Sequence, residues 1–119
     1  MNAVIGTNDY PVAERHEIEN GRMLILFRSH LEDGSINAEI LGKEVCLFDN
    51  RGELLWKINP APGSTVGYGR VFDPSSTEIF DFVHLSCDNG SYFAEKYNGD
   101  VFEIDLNSGM ANFVFWKKS

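Results

Sequence analysis

The chain has 119 residues and 43% hydrophobic content, with nine Phe, four Tyr and two Trp. That is material for one packed core over residues 1–119 and too little for two domains. Eighteen acidic side chains against ten basic ones leave a net charge of −8, which argues against nucleic-acid backbones and anionic membranes as partners, because each contact brings like charges together.

In chain order, Met1 to Asp9 lacks the cationic region and apolar core of a signal peptide, and no segment has the apolar length to span a membrane; the cytoplasm is the expected compartment. Tyr10 to His16, where Ala13-Glu14-Arg15 follows Pro11, reads as a short helix or irregular segment. Strand-like runs follow at Glu17 to Glu19, Arg22 to Ser29, Ile36 to Leu41, Glu44 to Phe48, Leu54 to Ile58, Thr65 to Phe72, Ile79 to Ser86, Tyr92 to Tyr97, Val101 to Ile104 and Asn112 to Trp116. Asn20-Gly21, Asp33-Gly34, Asn89-Gly90 and Asn98-Gly99 punctuate them with residues that tolerate the positive φ of tight turns. Proline marks two irregular connections, Asn59 to Ser64 and Asp73 to Thr77.

The expected fold is all-β: an antiparallel meander of about 8–10 short strands in a sandwich or partly closed barrel, with little helix. Met23 to Phe27 and Asn112 to Trp116 are apolar on both parities, so both are expected to be central strands buried on two faces. Val101 to Leu106 alternates instead, which turns Phe102, Ile104 and Leu106 inward and Glu103 and Asp105 to solvent.

Residue chemistry points away from catalysis. His16, His30 and His84 stand far apart, beside no repeated thiol or carboxylate spacing of a metal site. His84 is expected on a strand face with a hydrogen-bond partner, and His16 and His30 exposed near turns. Cys46 and Cys87 each lie in an apolar run and read as buried free thiols, with a disulfide left open. Glu32-Asp33 is better explained by the Asp33-Gly34 turn than by acid–base chemistry. Gly67-Tyr68-Gly69-Arg70 lacks the lysine and hydroxyl sequel of a phosphate loop. The aromatics Tyr92, Phe93, Tyr97, Phe102, Phe113, Phe115 and Trp116 suggest a stacking platform, but most are needed for the core. No enzyme, cofactor or metal is expected.

The clearest local signature is Val45 to Ile58, two apolar runs around Asp49-Asn50-Arg51-Gly52, with a looser copy at Val101 to Met110. Phe48 to Ile58 resembles the blade hairpin of pyrroloquinoline-quinone-type propeller repeats, in which an aspartate turn precedes glycine and a tryptophan closes the next strand. Two imperfect copies in a chain this short cannot close a propeller.

Over roughly residues 44 to 110 the chain resembles small acidic bacterial immunity proteins of contact-dependent growth inhibition and polymorphic-toxin systems. The carriers are Leu47-Phe48-Asp49 through Trp56-Lys57-Ile58, Pro60 to Gly63, Tyr97 to Asp105, and Gly109. That resemblance implies a toxin-neutralising binder and transfers no contact residue, and a solvated acidic surface is expected to keep the chain monomeric before binding. The charge pattern agrees: residues 71 to 105 hold eight carboxylates against Lys96 alone, a face suited to docking a basic toxin domain such as a nuclease. The candidate contacts are Asp73, Glu78, Asp81, Asp88 and Asp100, with Tyr68 and Arg70 as anchors of hot-spot type. The rival readings are a β-module that binds a sugar or small molecule, an acidic mimic of nucleic acid, and a small β-barrel enzyme.

Overall fold

The computed structural model describes residues 2–5, 8–67 and 71–117, and they form twelve strands and one short 3-10 turn at Glu19–Gly21. Five strands make an antiparallel meander in sequence order: β1 (Asn2–Ile5), β2 (Asn8–Glu17), β3 (Met23–Phe27), β4 (Val45–Phe48) and β5 (Leu54–Lys57). The chain then passes through β6 (Asn59–Pro60) and a two-stranded ribbon of β7 (Ser64–Val66) and β8 (Val71–Asp73). A second meander follows, of β9 (Phe82–Asp88), β10 (Ser91–Lys96), β11 (Asp100–Ile104) and β12 (Met110–Trp116), with β6 added in parallel on β12. The fold is all-β and sandwich-like, without closure into a barrel. No helix among the described residues is long and apolar enough to cross a membrane.

One core lies between the two sheets. Leu24, Leu26, Val45 and Leu47 from the first sheet meet Phe82, Leu85, Ala94, Phe102, Ile104 and Ala111 from the second. A smaller core covers the other side of the first sheet, where Tyr10, Ile25, Phe27, Cys46 and Phe48 pack with Ile40 from the long β3–β4 connection. The two-sided apolarity of Met23 to Phe27 is therefore real. Asn112 to Trp116 does not share it, because Val114 and Phe115 are 42% and 51% exposed. A bulge opposite Val101 and Phe102 leaves Val114 as an extra residue and breaks the alternation of β12.

Other expectations shift for definable reasons. Tyr10 to His16 is strand, and a bulge between Val12 and Glu14 moves Glu14 and His16 to the side that faces the second sheet, where apolar residues would have announced a strand. Pro11 is tolerated because its carbonyl, which needs no N–H, accepts from Arg28 N. Ile36 to Leu41 folds as turns rather than strand, and Thr65 to Phe72 divides into β7 and β8. Asn59–Pro60 is a short strand instead of loop. Both cysteines are free, but Cys87 is exposed while Cys46 is buried, its thiol pushed up to about 12 by that burial.

The two sheets are joined at a single crossing. Ile58 N donates to Val45 O in the first sheet, and the next amide, Asn59 N, donates to Gly109 O in the second. Trp56 sits just before this step and donates Nε1–H to Leu106 O at 2.9 Å. A Cβ on Gly109 would stand 2.7 Å from the Trp56 ring, so the indole rests directly on that backbone. The Asp49 turn precedes the strand that carries the tryptophan, and the Asp105 turn is the seat on which it rests. At the far end of the second sheet Trp116 repeats the arrangement, with Nε1–H donated to Asn98 O and its ring over Gly99.

Trp56→Ala is expected to cost about 3 kcal/mol of folding free energy, the usual scale for removing a packed aromatic side chain. Gly109→Ala, which must also hold φ near +80°, should destabilise to a similar degree. Urea midpoints at unchanged m-value check both, and a Trp56→Ala loss under about 1 kcal/mol would mean that the indole does not staple the sheets.

Candidate functional site

The carboxylates singled out from sequence do not form one patch. Asp100 is fully buried at the start of β11, where Oδ2 accepts from Thr65 N at 2.9 Å and from Asn98 Nδ2 at 3.0 Å. It anchors the β7–β8 ribbon and is not a surface contact. Asp73 ends β8 and accepts at Oδ1 from the hydroxyl and amide of Ser75, which hold its carboxyl below the usual carboxylate range. Glu78 is exposed in the connection that follows. Asp81 is partly buried just before β9, 3.1 Å from His30 Nδ1, and Asp88 is exposed at the other end of that strand. Tyr68 and Arg70 lie outside the described residues.

The solvent face of the second sheet brings together residues that the sequence reading left in the core or passed over. Cross-strand registry sets Phe93 between Ser86 and Glu103, and Glu95 between His84 and Val101. Val101 is in turn opposite Phe115. His84, Ser86, Phe93, Glu95, Val101 and Phe115 border a shallow groove of about 360 Å³ with Asp88 and Lys117 at its margin, and Glu103 stands beside Phe93 on the neighbouring strand. Lys117 Nζ lies 3.5 Å from Glu95. The face therefore presents two aromatic rings, Phe93 and the half-exposed Phe115, among Asp88, Glu95 and Glu103. Shared parity was the available signal, since Phe93 is in step with Glu95 and Val101 with Glu103; a strand side that carries carboxylates is the wet side.

The three histidines, remote in sequence, converge on the seam where β2 and the turn after β3 meet β9. Glu14 lies between two of them, with Oε1 3.2 Å from His16 Nε2 and Oε2 2.9 Å from His84 Nδ1, and it also accepts from Leu85 N. The geometry does not make a nucleophilic relay. Ser29 Oγ and Asp81 Oδ2 both approach Nδ1 of His30, at 3.3 and 3.1 Å, whereas a serine–histidine–acid relay needs nucleophile and acid on opposite ring nitrogens. Among the described residues no three His, Cys, Asp or Glu side chains are grouped as a metal site.

Glu44 is the second carboxylate of this seam. It is fully buried, and it accepts from Gly42 N and Phe82 N, each at 3.0 Å. With Glu14 on Leu85 N, it satisfies amides on the side of β9 that has no strand neighbour. Burial pushes the Glu44 carboxyl above its usual value, against the lowering effect of hydrogen bonds from Ser29, Phe82 and Gly42.

Comparison with protein-family models, curated proteins and solved structures returns no match for this chain.

The Glu44 shift has a defined sign. A carboxyl whose folded value is raised binds more proton in the native state than in the unfolded one, so its contribution to stability falls as pH rises from about 4.5 toward the folded value. Glu44→Gln removes that titration and leaves an amide facing a backbone donor. The stability advantage of wild type over Glu44→Gln should therefore shrink as pH rises above about 4.5. Denaturation series at several pH values measure it, and a flat or growing difference would show that ionised Glu44 is accommodated at no cost.

Proposed function

We propose that this chain is an immunity protein, acting in the cytoplasm, that captures a basic toxin domain through the solvent face of its second sheet. The observation that carries the reading is the pair Phe93 and Phe115 set among Asp88, Glu95 and Glu103 on a broad, well-supported strand surface. Interfaces draw most of their energy from a few large side chains that become fully desolvated, and surrounding charge selects the partner. A net charge of −8 adds long-range attraction for a cationic domain. Such attraction raises association rates by ~10–1000-fold at low salt, which favours an inhibitor that must reach its target before damage is done. The resemblance of residues 44 to 110 to immunity proteins points the same way.

The face also fits this role because its side chains are spare. Phe93, Glu95 and Glu103 point away from the core that Ala94, Phe102 and Ile104 fill, so substitution on one side of these strands leaves packing on the other side intact. Either active-site block or occlusion of another toxin surface is compatible with this face.

Co-expression with the product of the neighbouring upstream gene, followed by growth rescue and co-purification in low salt, tests the role directly. A harmless upstream product and no complex would end it. For the face itself, Asp88→Lys with Glu103→Lys should slow association with the toxin by about 10-fold or more at low salt while the urea midpoint stays in place. Phe115→Ala should cost about 2 kcal/mol of binding, mainly as faster dissociation. Kinetics unchanged by all three substitutions would move the interface elsewhere on the molecule.

A further inference from the structure

On the opposite side of the second sheet, Lys96 is directed inward at the end of β10. It is 5% exposed, and its Nζ lies 5.1 Å from the ring centroids of both Phe82 and Phe102. No carboxylate of the described residues comes within ion-pairing distance of this ammonium. Burial lowers the proton affinity of the amine, while Asp100 and Glu44 act on it from farther away in the opposite sense. A nearly desolvated cation served only by ring faces has hydrogen-bonding capacity left unused.

Lys96 forms part of the lining of a cleft of about 290 Å³ between the connections at 41–43, 59–63 and 76–79. One wall is rigid. Pro60 and Pro62 restrict the backbone, and a Cβ on Gly63 would meet Asp73 O at 2.6 Å and Pro74 Cα at 2.7 Å, so that loop lies tight against the β8 turn. The cleft holds a second donor. Ser76 Oγ accepts from Ser64 Oγ at 2.7 Å and from Glu78 N at 3.3 Å, which leaves its own proton to give. Lys43 contributes another cation, and Ile79, 65% exposed, offers an apolar wall.

We infer that this cleft binds a small organic carboxylate, with the carboxylate on Lys96 Nζ and Ser76 Oγ–H and an apolar body between the proline loop and Ile79. The surroundings select that class. An anion supplies the direct ion pair that Lys96 lacks, and a charge-assisted hydrogen bond away from bulk water is strong. A dianion such as phosphate is disfavoured, because Glu44 and Asp100 already act on Lys96 and Glu78 borders the cleft. A neutral ligand leaves the ammonium unpaired. The volume is near the lower end for ligand sites, which matches a single ring or a short chain. The site is separate from the face assigned to the toxin, and neither reading depends on the other.

The test uses benzoate and hexanoate as probes, benzamide as the neutral counterpart of benzoate, and inorganic phosphate, each titrated to about 10 mM into the full chain and followed by amide cross-peaks. Benzoate or hexanoate should shift Gly42, Gly63 and Ser76, with benzamide and phosphate weaker by at least about tenfold. Lys96→Met, whose side chain can still cover the two rings, should lose that binding, whereas Lys57→Met on the exposed edge should keep it. Affinity should also fall as pH rises and Lys96 loses its proton. Benzamide binding as well as benzoate, retained affinity in a folded Lys96→Met, or no shift at the three residues overturns the inference. If Lys96→Met does not fold, the wild-type ratio of benzoate to benzamide together with Ser76→Ala decides it, and a ratio near one sinks it.

Discussion

The step from Ile58 to Asn59 constrains everything else in the molecule. One amide bonds into the first sheet and the next into the second, so the last strand of one layer and the first of the other are a single piece of chain. The layers must then face each other close to that point, and Ile58 is buried in the core they share. Trp56 fixes the spacing by resting on Gly109 and bonding to Leu106 O. The Asp105 turn is shaped to receive it, with Gly109 N donating to Asp105 O and Asp105 Oδ1 accepting from Asn107 N. A side chain at position 109 would separate the sheets where they are covalently joined.

At the other margin the layers are held by polar groups instead. Glu14 and Glu44, both from the first layer's part of the chain, accept amides of Leu85 and Phe82 along β9. Contacts of this kind add little net stability, since desolvating a carboxylate offsets much of what its hydrogen bonds return. Their value is specificity. An edge amide without a partner is costly, and only one placement of β9 against β2 and β3 satisfies both. The molecule is therefore closed by packing at one margin and by hydrogen-bond matching at the other, and the catalytic look of the histidine–carboxylate pairs follows from that structural task.

Sequence reading recovers what local rules control. Period-two alternation placed Phe102, Ile104 and Glu103 on their observed sides, and Asn89-Gly90 does form the β9–β10 turn, with Asn89 at φ 51°. It fails where a bulge resets parity, as at Ala13 in β2 and Val114 in β12, because one extra residue moves every following side chain to the other face. It fails again where polar residues serve the interior. Asp100, read as a surface contact, ties down Thr65, and Lys96 sits beneath two phenylalanine rings. No composition rule separates such residues from a solvated charge. The exposed aromatic face is half legible: the parity of Phe93 with Glu95 is in the sequence, but the exposure of Phe115 depends on the bulge beside it.

The arrangement in which each sheet is a run of sequence neighbours has a kinetic meaning. The strands of the first layer pair in order up to Lys57, and those of the second pair in order from Phe82, so nearly every ladder closes a short loop at small entropic expense. Within each layer the strand pairings are local in sequence, whereas the contacts between layers are long-range. What remains is docking, and it brings together partners as far apart as Glu14 and Leu85. Docking also removes water from two carboxylates and from the apolar inner faces. Substitutions at the seam therefore act on the step that brings distant parts of the chain together, while those within a ladder act on pairings between sequence neighbours.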